Sequence, residues 1–176
     1  MNKFILAALS VSTLAISSHA LANSGQITFT GVVNEKTCTI DTTSSNLTVL
    51  LPGVSTTDFD GANSTAGAAV PFSIKVANCD SGLTQAGVLF GLNQNVDTAT
   101  GNLKNTLAEG TDAQVRLFSK SGKAINLANF ADNMEFADAD SNGNVSMDFT
   151  AQYYSVDATP KAGLLKTNIE YVVQYK

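Results

Sequence analysis

The side chains with most scope for nucleophilic or proton-transfer chemistry in this 176-residue chain are His19, Cys38 and Cys79. Hydrolytic and proton-transfer sites depend on histidine more than on any other side chain. His19 is the only histidine, and it lies in an N-terminal segment that we expect to be removed. The remaining chain then offers no Ser–His or Cys–His pair.

Paired carboxylates, such as those that hydrolyse glycosides, stay open in principle. Most of the acids, Asp138 and Asp140 among them, lie in turn-like surroundings, which favours solvated turn residues. No glycine pattern resembles a phosphate-binding loop between a strand and a helix. The sequence therefore favours a protein that is not an enzyme and that needs no cofactor.

The stretch from Asp138 to Asn144 has the spacing of the first half of a calcium loop, D-x-[DN]-x-[DN]-G. The twelfth position of such a loop should be a bidentate glutamate, but here it is Phe149, and the flanks look like strands. We favour a hairpin turn in which Asn142 and Gly143 supply the positive backbone dihedrals. Calcium binding remains the alternative.

The N-terminus has the order of a secretory signal peptide. Lys3 precedes a largely apolar run of 13 residues, from Phe4 to Ile16, and Ala20-Leu21-Ala22 forms a cleavage motif. A membrane-spanning helix needs about 20 residues. We predict a signal peptide at 1–22, with Asn23 as the first mature residue and no membrane insertion; a retained anchor is the alternative.

Charge and cysteine usage narrow the class further. The net charge is −5 and Arg116 is the only arginine, so no basic stripe is present and we expect no nucleic-acid partner. In an exported protein the isolated pair Cys38 and Cys79 predicts a disulfide, which stabilises by about 4 kcal/mol in the chain-entropy model. A metal site is a weak alternative, because two thiolates without a nearby histidine rarely form one.

These residues would be positioned by strands. Apolar and polar residues alternate in several short runs, and turn-rich stretches of Gly, Ser, Thr, Asn and Asp separate them. The pattern predicts an all-β, immunoglobulin-like sandwich. The predicted strands are 27–30, 47–51, 72–76, 88–90, 115–118, 145–149 and a terminal strand within 165–175.

Both ends of the mature chain resemble the major pilins of the chaperone–usher pathway, of the type 1 kind. The segment from Gly25 to Val33, followed by Cys38, is similar to the family's donor strand and first strand. Pro71 to Val76 before Cys79 is similar to its second-cysteine strand. Near the C-terminus the resemblance includes Ala151 to Tyr154, Ala158 to Pro160, Gly163 as the fourteenth residue from the end and Tyr175 as the penultimate one.

The resemblance implies a pilin fold, which is an incomplete sandwich of six strands plus an N-terminal donor strand that enters a neighbour. The donor extension would be 23–31 and the pilin domain 32–176. The family's donor side chains map onto Gly25, Ile27, Phe29 and Gly31. Its chaperone and acceptor-groove strand maps onto Gly163, Ile169, Tyr171, Val173 and Tyr175.

The resemblance also implies a function, that of a structural subunit of a bacterial surface fimbria that supports cell adhesion. The implied partners are identical or related pilin subunits, a periplasmic chaperone, an outer-membrane usher and, where the fibre adheres, a host surface receptor. Export would run through the periplasm to the cell surface. The alternatives are a minor adaptor pilin, a carbohydrate-binding adhesin domain, and a self-complete sandwich in which Ile27 and Phe29 form the first core strand.

Overall fold

The structure, a computed structural model, describes residues 38–41, 47–80, 82–91 and 93–176. In these residues the chain forms a sandwich of two antiparallel sheets. The first sheet has the order β1-β2-β6-β4 and the second the order β5-β3-β7. The strands are β1 (Thr39–Ile40), β2 (Ser64–Ala77), β3 (Gln85–Phe90), β4 (Gln114–Ser119), β5 (Met134–Asp138), β6 (Val145–Ser155) and β7 (Tyr171–Tyr175). A short 3-10 helix spans Thr56–Asp58.

The core lies between the two sheets and is built from the alternate residues that each strand turns inward. Phe149 of β6 stacks on Phe72 of β2 at 5.4 Å between ring centroids and meets Phe90 of β3 edge-on at 5.3 Å. Phe149, Phe90, Ile74 and Val88 are fully buried, whereas Phe72 is partly buried. Each such side chain contributes about 1.5–3 kcal/mol of burial energy, so these residues fix which face of each strand is inward.

The predicted all-β class is confirmed, and three details differ from the strand predictions. Residues 47–51 form no strand: Leu50 is 83% exposed, while Val49 and Leu51 pack on the core without a ladder. The strand β5 was not predicted. In addition, β2 begins at Ser64, with a register shift between Ala66 and Val70, so its first residues lie in the stretch from Asp58 to Gly67 whose polar residues and glycines predicted a turn.

The outer edge of β4 is covered by the chain itself. Leu103 exchanges two backbone hydrogen bonds of 2.9 Å with Val115, and the Ile125 N–H donates to the Leu117 carbonyl at 2.9 Å. These two short contacts satisfy backbone groups that an edge strand would otherwise expose. The terminal segment from Leu165 to Tyr175 differs from β4, because its backbone bonds to β3 and to the loop at Thr106 lie along one edge.

Candidate functional site

The terminal segment from Leu165 to Tyr175 alternates strictly in burial. Its odd-numbered residues are partly buried and its even-numbered residues are exposed. The odd-numbered side chains form a row that packs on the core along the segment; five of its members are apolar or aromatic, namely Leu165, Ile169, Tyr171, Val173 and Tyr175. This spacing of two is that of an extended strand with one face inward.

The even-numbered residues attach this segment to the rest of the protein. The Lys166 carbonyl accepts from the Thr106 N–H at 2.8 Å, and the Glu170 carbonyl accepts from the Gly91 N–H at 2.7 Å. Lys176 and Gln85 exchange two backbone hydrogen bonds of 2.8 and 3.1 Å. In an antiparallel pair, every second residue bonds to one neighbour and the residues between direct their N–H and C=O groups to the other side.

The odd-numbered residues of β7 therefore direct backbone groups away from β3. Among the described residues, no other strand pairs with that outer edge of β7. Val88 of β3 is fully buried, whereas its registered neighbour Val173 is only partly buried, although both pack on the same core. Val173 thus keeps an exposed fraction in an apolar row that runs beside the outward backbone groups. Such an edge can accept another strand.

Burial also affects the two tyrosines of this row. It raises the pKa of the Tyr171 and Tyr175 phenols above their ordinary value. A buried phenol loses hydration that its anion needs, so the neutral form is favoured. Both rings therefore act as uncharged, largely apolar surface at physiological pH.

Gly163 lies just before the row, where two backbone segments come into contact. A Cβ atom added at Gly163 would lie 2.6 Å from the Thr111 nitrogen and 2.7 Å from the Gly110 carbonyl carbon. Real Cβ atoms do not approach backbone this closely, so only glycine fits without a shift. The structure thus gives Gly163 a packing role at the start of the segment.

Two residues of the site were not singled out from the sequence. Asn105 holds the start of the row, since its side-chain amide donates to the Leu164 carbonyl at 2.7 Å and its carbonyl accepts from the Lys166 N–H at 3.0 Å. Thr167 occupies the row position between Leu165 and Ile169. The period-two pattern could have pointed to Thr167, but nothing in the sequence points to Asn105.

Other predicted residues lie outside the described ranges. These are the signal peptide 1–22 and the donor extension 23–31, with Gly25, Ile27, Phe29 and Gly31. The described part of the first strand begins only at Cys38 and pairs with β2 through Thr39 and Ile40.

The predicted disulfide between Cys38 and Cys79 is confirmed, with a Cα–Cα distance of 4.1 Å and a sequence separation of 41. It joins the residue before β1 to the segment after β2. Over the described residues, β1 pairs with β2 through Thr39 and Ile40, and the covalent link reinforces this short ladder.

The stretch from Asp138 to Asn144 forms the turn between β5 and β6, which lie in different sheets, so it is not the predicted hairpin between paired strands. The Asp140 carboxylate accepts from the backbone N–H groups of Asn144 at 2.9 Å and Asn142 at 2.8 Å, and these two bonds lower its pKa. Gly143 has a positive φ of 73°. The prediction that Asn142 shares that conformation is wrong, because this is a three-residue loop in which only the last residue is left-handed.

Over the described residues, no three acidic, cysteine or histidine side chains lie close enough together to hold a metal ion. No helix in those same residues is long and apolar enough to cross a membrane.

A family model described as fimbrial protein matches residues 27–176. The chain belongs to the fimbrial protein family. This fimbrial protein is 35% identical over 185 residues to the F17 fimbrial protein of Escherichia coli, covering 99% of this chain and 98% of the relative.

Two crystal structures support the fold of this fimbrial protein. An antigen and type I fimbria protein of Burkholderia pseudomallei is 26% identical with a TM-score of 0.55, over 78% of this chain and 88% of that one. The P pilus rod subunit PapA is 18% identical with a TM-score of 0.53, over 87% and 100% of the two chains, and shows likeness of fold alone. The predicted pilin family and pilin fold are confirmed.

Proposed function

We propose that this fimbrial protein is a structural subunit of a surface fimbria and that it polymerises by donor-strand exchange. In this process the segment 23–31 of one copy lies along the outer edge of β7 of the next. The observation that carries the proposal is the terminal segment, because it offers an inward apolar row together with outward backbone groups. A donated strand covers the first and hydrogen-bonds the second.

The donor segment has the matching pattern. Gly25, Ile27, Phe29 and Gly31 fall on one face of an extended strand, so the two large apolar residues enter the sandwich while the polar residues between them face outward. Burying Ile27 and Phe29 contributes about 1.5–3 kcal/mol each. This contribution and the completed ladder favour assembly over the isolated subunit.

The same edge accounts for the proposed helpers. A partly exposed apolar edge promotes aggregation, so an exported subunit needs a protein that covers β7 until the next copy arrives. A periplasmic chaperone would supply that cover, and an outer-membrane usher would exchange it for the donor strand. The subunit then works through strand exchange rather than catalysis, and adhesion to a host receptor would be a property of the fibre.

The test replaces the inward donor residues and compares them with the outward ones. The double variant Ile27→Asp/Phe29→Asp puts two charges into the apolar row and should abolish surface fibres while subunit remains detectable in the periplasm. The matched control, Thr28→Asp/Thr30→Asp, adds the same charge on the solvent face and should still give fibres.

Fibres are sheared from the cells and quantified by electron microscopy and immunoblotting. Normal fibres from the inward variant, or equal loss in both variants, would contradict the donor role.

A further inference from the structure

The outer face of the second sheet carries apolar side chains that the core does not use. Leu89 lies between two fully buried residues of β3, so its own side chain faces outward. It is in register with Met134 of β5 and Val172 of β7, and Phe136 lies in the next outward rung. Val172 is 55% exposed, and the other three are partly buried without packing on the core. We call these four residues the outer patch.

The corresponding face of the first sheet is polar. There Ser73 of β2 is in register with Asp148 of β6 and donates a hydrogen bond to it at 2.8 Å, and the next outward rung pairs Lys75 with Ser146. An apolar patch on a solvent face with a polar rim is typical of an interaction surface. The rim of the outer patch consists of Gln85, Asp138, Glu170, Gln174 and Lys176.

We propose that the outer patch binds the outer patch of a second copy of this chain in a neighbouring fibre. The inference rests on the proposed function for the fibre itself. Of the two outer sheet faces, this one offers an apolar complement, so the patch fits its own copy. A surface that binds itself requires a two-fold axis. Copies within one fibre are joined head to tail and have no such axis, so the second copy belongs to another fibre.

The Lys176 side chain decides between two directions of this axis. Sheets that pack face to face keep their strands within about 30° of each other, so the axis runs either along the strands or across them. The Lys176 Nζ lies 3.7 Å from the centre of the Phe136 ring. That ring covers the middle strand, since a Cβ atom added at Gly87 would lie 2.6 Å from Phe136 Cδ1. An axis along the middle strand would therefore bring two ammonium groups together, which is unfavourable.

An axis across the strands pairs opposite charges instead. Glu170 and Lys176 are each three residues from Val173, on the same face of the terminal segment. With the axis level with Val173, β7 of one copy lies antiparallel over β7 of the other, and each Glu170 faces the other copy's Lys176. The rung that contains Leu89 then lies over the rung that contains Phe136, so apolar side chains meet.

This arrangement determines how the two fibres run. In the proposed fibre, β7 lies along the strand that joins consecutive copies, so antiparallel β7 strands belong to fibres of opposite direction. Fibres that extend from two facing cells meet in this way. Each contact is small, but the patch recurs in every subunit, so many weak contacts add along a pair of fibres. The outer patch thus holds fimbriated cells to one another.

Settling of cells that carry the full-length chain in their fibres tests the patch. Val172→Lys places a charge in the outer patch and should reduce the aggregated fraction of cells at least about tenfold, because the contact would bury two like charges. The matched control is Thr150→Lys, which adds the same charge on the outer face of the first sheet and should leave aggregation unchanged. Electron microscopy of sheared fibres should give wild-type fibre counts for both variants.

A mixing experiment tests the axis. Lys176→Glu and Glu170→Lys each place like charges opposite one another when a strain meets itself, so neither strain should aggregate alone. In a mixture of the two strains, labelled with different fluorophores, both charge pairs are opposite again, and aggregates of both colours should form. The control mixture joins Lys176→Glu with Asp138→Lys. Since Asp138 and Lys176 end the same rung, that mixture aggregates only with an axis along the strands.

The outcomes separate this inference from the proposed function. Wild-type cells that carry fibres without aggregating, or Val172→Lys cells that aggregate like wild type, would overturn the patch contact. Aggregation of the Asp138→Lys mixture in place of the Glu170→Lys mixture would overturn the axis and the opposed fibres. Wild-type cells that assemble no fibres would instead contradict the proposed function. The comparison of Val172→Lys with Thr150→Lys decides the patch whatever Lys176→Glu does to fibre yield.

Discussion

At the scale of single residues, Gly163 shows how a missing side chain lets two backbone segments meet. Its neighbours are the Thr111 nitrogen and Gly110 carbonyl carbon, which belong to the main chain and cannot rotate away. The same contact brings the Leu164 carbonyl to the Thr111 N–H at 3.1 Å, where the terminal segment begins. A residue that resemblance assigns to partner recognition thus also has a role inside the subunit.

Gly163→Ala should destabilise the subunit by about 1–3 kcal/mol, because an added Cβ forces the backbone segments apart. Urea unfolding of the purified protein measures the loss. Gly53→Ala is the matched control, since a Cβ at Gly53 meets no atom within 4 Å, and it should leave stability nearly unchanged. Equal midpoints for the two variants would show that the contact at Gly163 is not restrictive.

Asp148 should contribute an acid-sensitive part of the stability. Its carboxylate accepts from the Ser73 hydroxyl at 2.8 Å, and this bond is the main reason that its pKa lies below the ordinary value of 3.8. A lowered folded-state pKa gives stability that is present above the unfolded pKa and is lost as pH falls through the folded pKa. Asp148→Asn should therefore be less stable than wild type at neutral pH, and the difference should shrink below about pH 3.8.

Ser73→Ala should reproduce most of that effect. Lys120→Met should change less, because the Lys120 side chain is 81% exposed and its ion pair with Asp148, at 3.3 Å, is weak in solvent. The test is to measure the free energy of unfolding of wild type and of the three variants from neutral to acidic pH. A difference between wild type and Asp148→Asn that does not vary with pH would contradict the assignment.

Residue-level predictions from the sequence succeeded where the residue type restricted the outcome. A lone cysteine pair in an exported chain leaves few alternatives to a disulfide, and Gly143 had the positive dihedral expected of glycine in a hairpin loop. Asn142 was assigned the wrong conformation because loop length, which selects the turn type, depends on where β5 and β6 end, and these two strands lie in different sheets. The burial of the Thr167 hydroxyl is a tertiary property that no local pattern encodes.

At the scale of elements, alternation predicted β6 and β7 because each has one face on the core. It did not predict β5, whose residues 134–137 are all partly buried, so that no face stands out. It overpredicted 47–51, whose leucines and valine look like a strand but form no ladder with the other described strands. An apolar pattern predicts which residues are buried, but a strand also requires backbone hydrogen bonds to a neighbouring strand.

Removing the disulfide tests how the first strand is held. Cys38→Ala/Cys79→Ala should lose about 4 kcal/mol, since a loop of 41 residues becomes free in the unfolded chain and β1 has only two paired residues to replace the link. Wild-type protein kept reduced should match the double variant in urea unfolding, because both lack the cross-link. Stability that is unchanged in both would contradict a structural role for the bond.

At the scale of the whole molecule, composition and strand periodicity were enough to predict an all-β sandwich, and resemblance supplied the missing strand. The long terminal edge was expected, but its detailed geometry was not. The backbone bonds of Lys166, Glu170 and Lys176 join it to the loop at Thr106 and to β3 with the residue after it, and these contacts depend on the complete fold. The same geometry indicates how a single chain could cover the outer edge of its own β7 with an appended strand. Lys176 directly follows β7, at the point where an antiparallel donor would begin.

A copy of Ser24–Val33 appended after Lys176 through a hairpin loop of about four residues should therefore fold back along β7. Burial of the appended isoleucine and phenylalanine should add about 3–6 kcal/mol. For a domain of this size that corresponds to a rise in melting temperature of roughly 6–24 °C. The appended strand should also cover Tyr171 and Tyr175 further, so ultraviolet titration should show their pKa rising above that in the parent chain.

The matched control carries serine in place of both apolar residues of the appended copy and should melt with the parent chain. The fusion, with its edge already filled, should also fail to accept a donor from another copy and stay out of fibres. A fusion that melts with its serine control, with its tyrosines titrating as in the parent, would mean that β7 does not need the strand. Because the same strand would then have no reason to enter a neighbour, assembly by strand exchange would lose its physical basis.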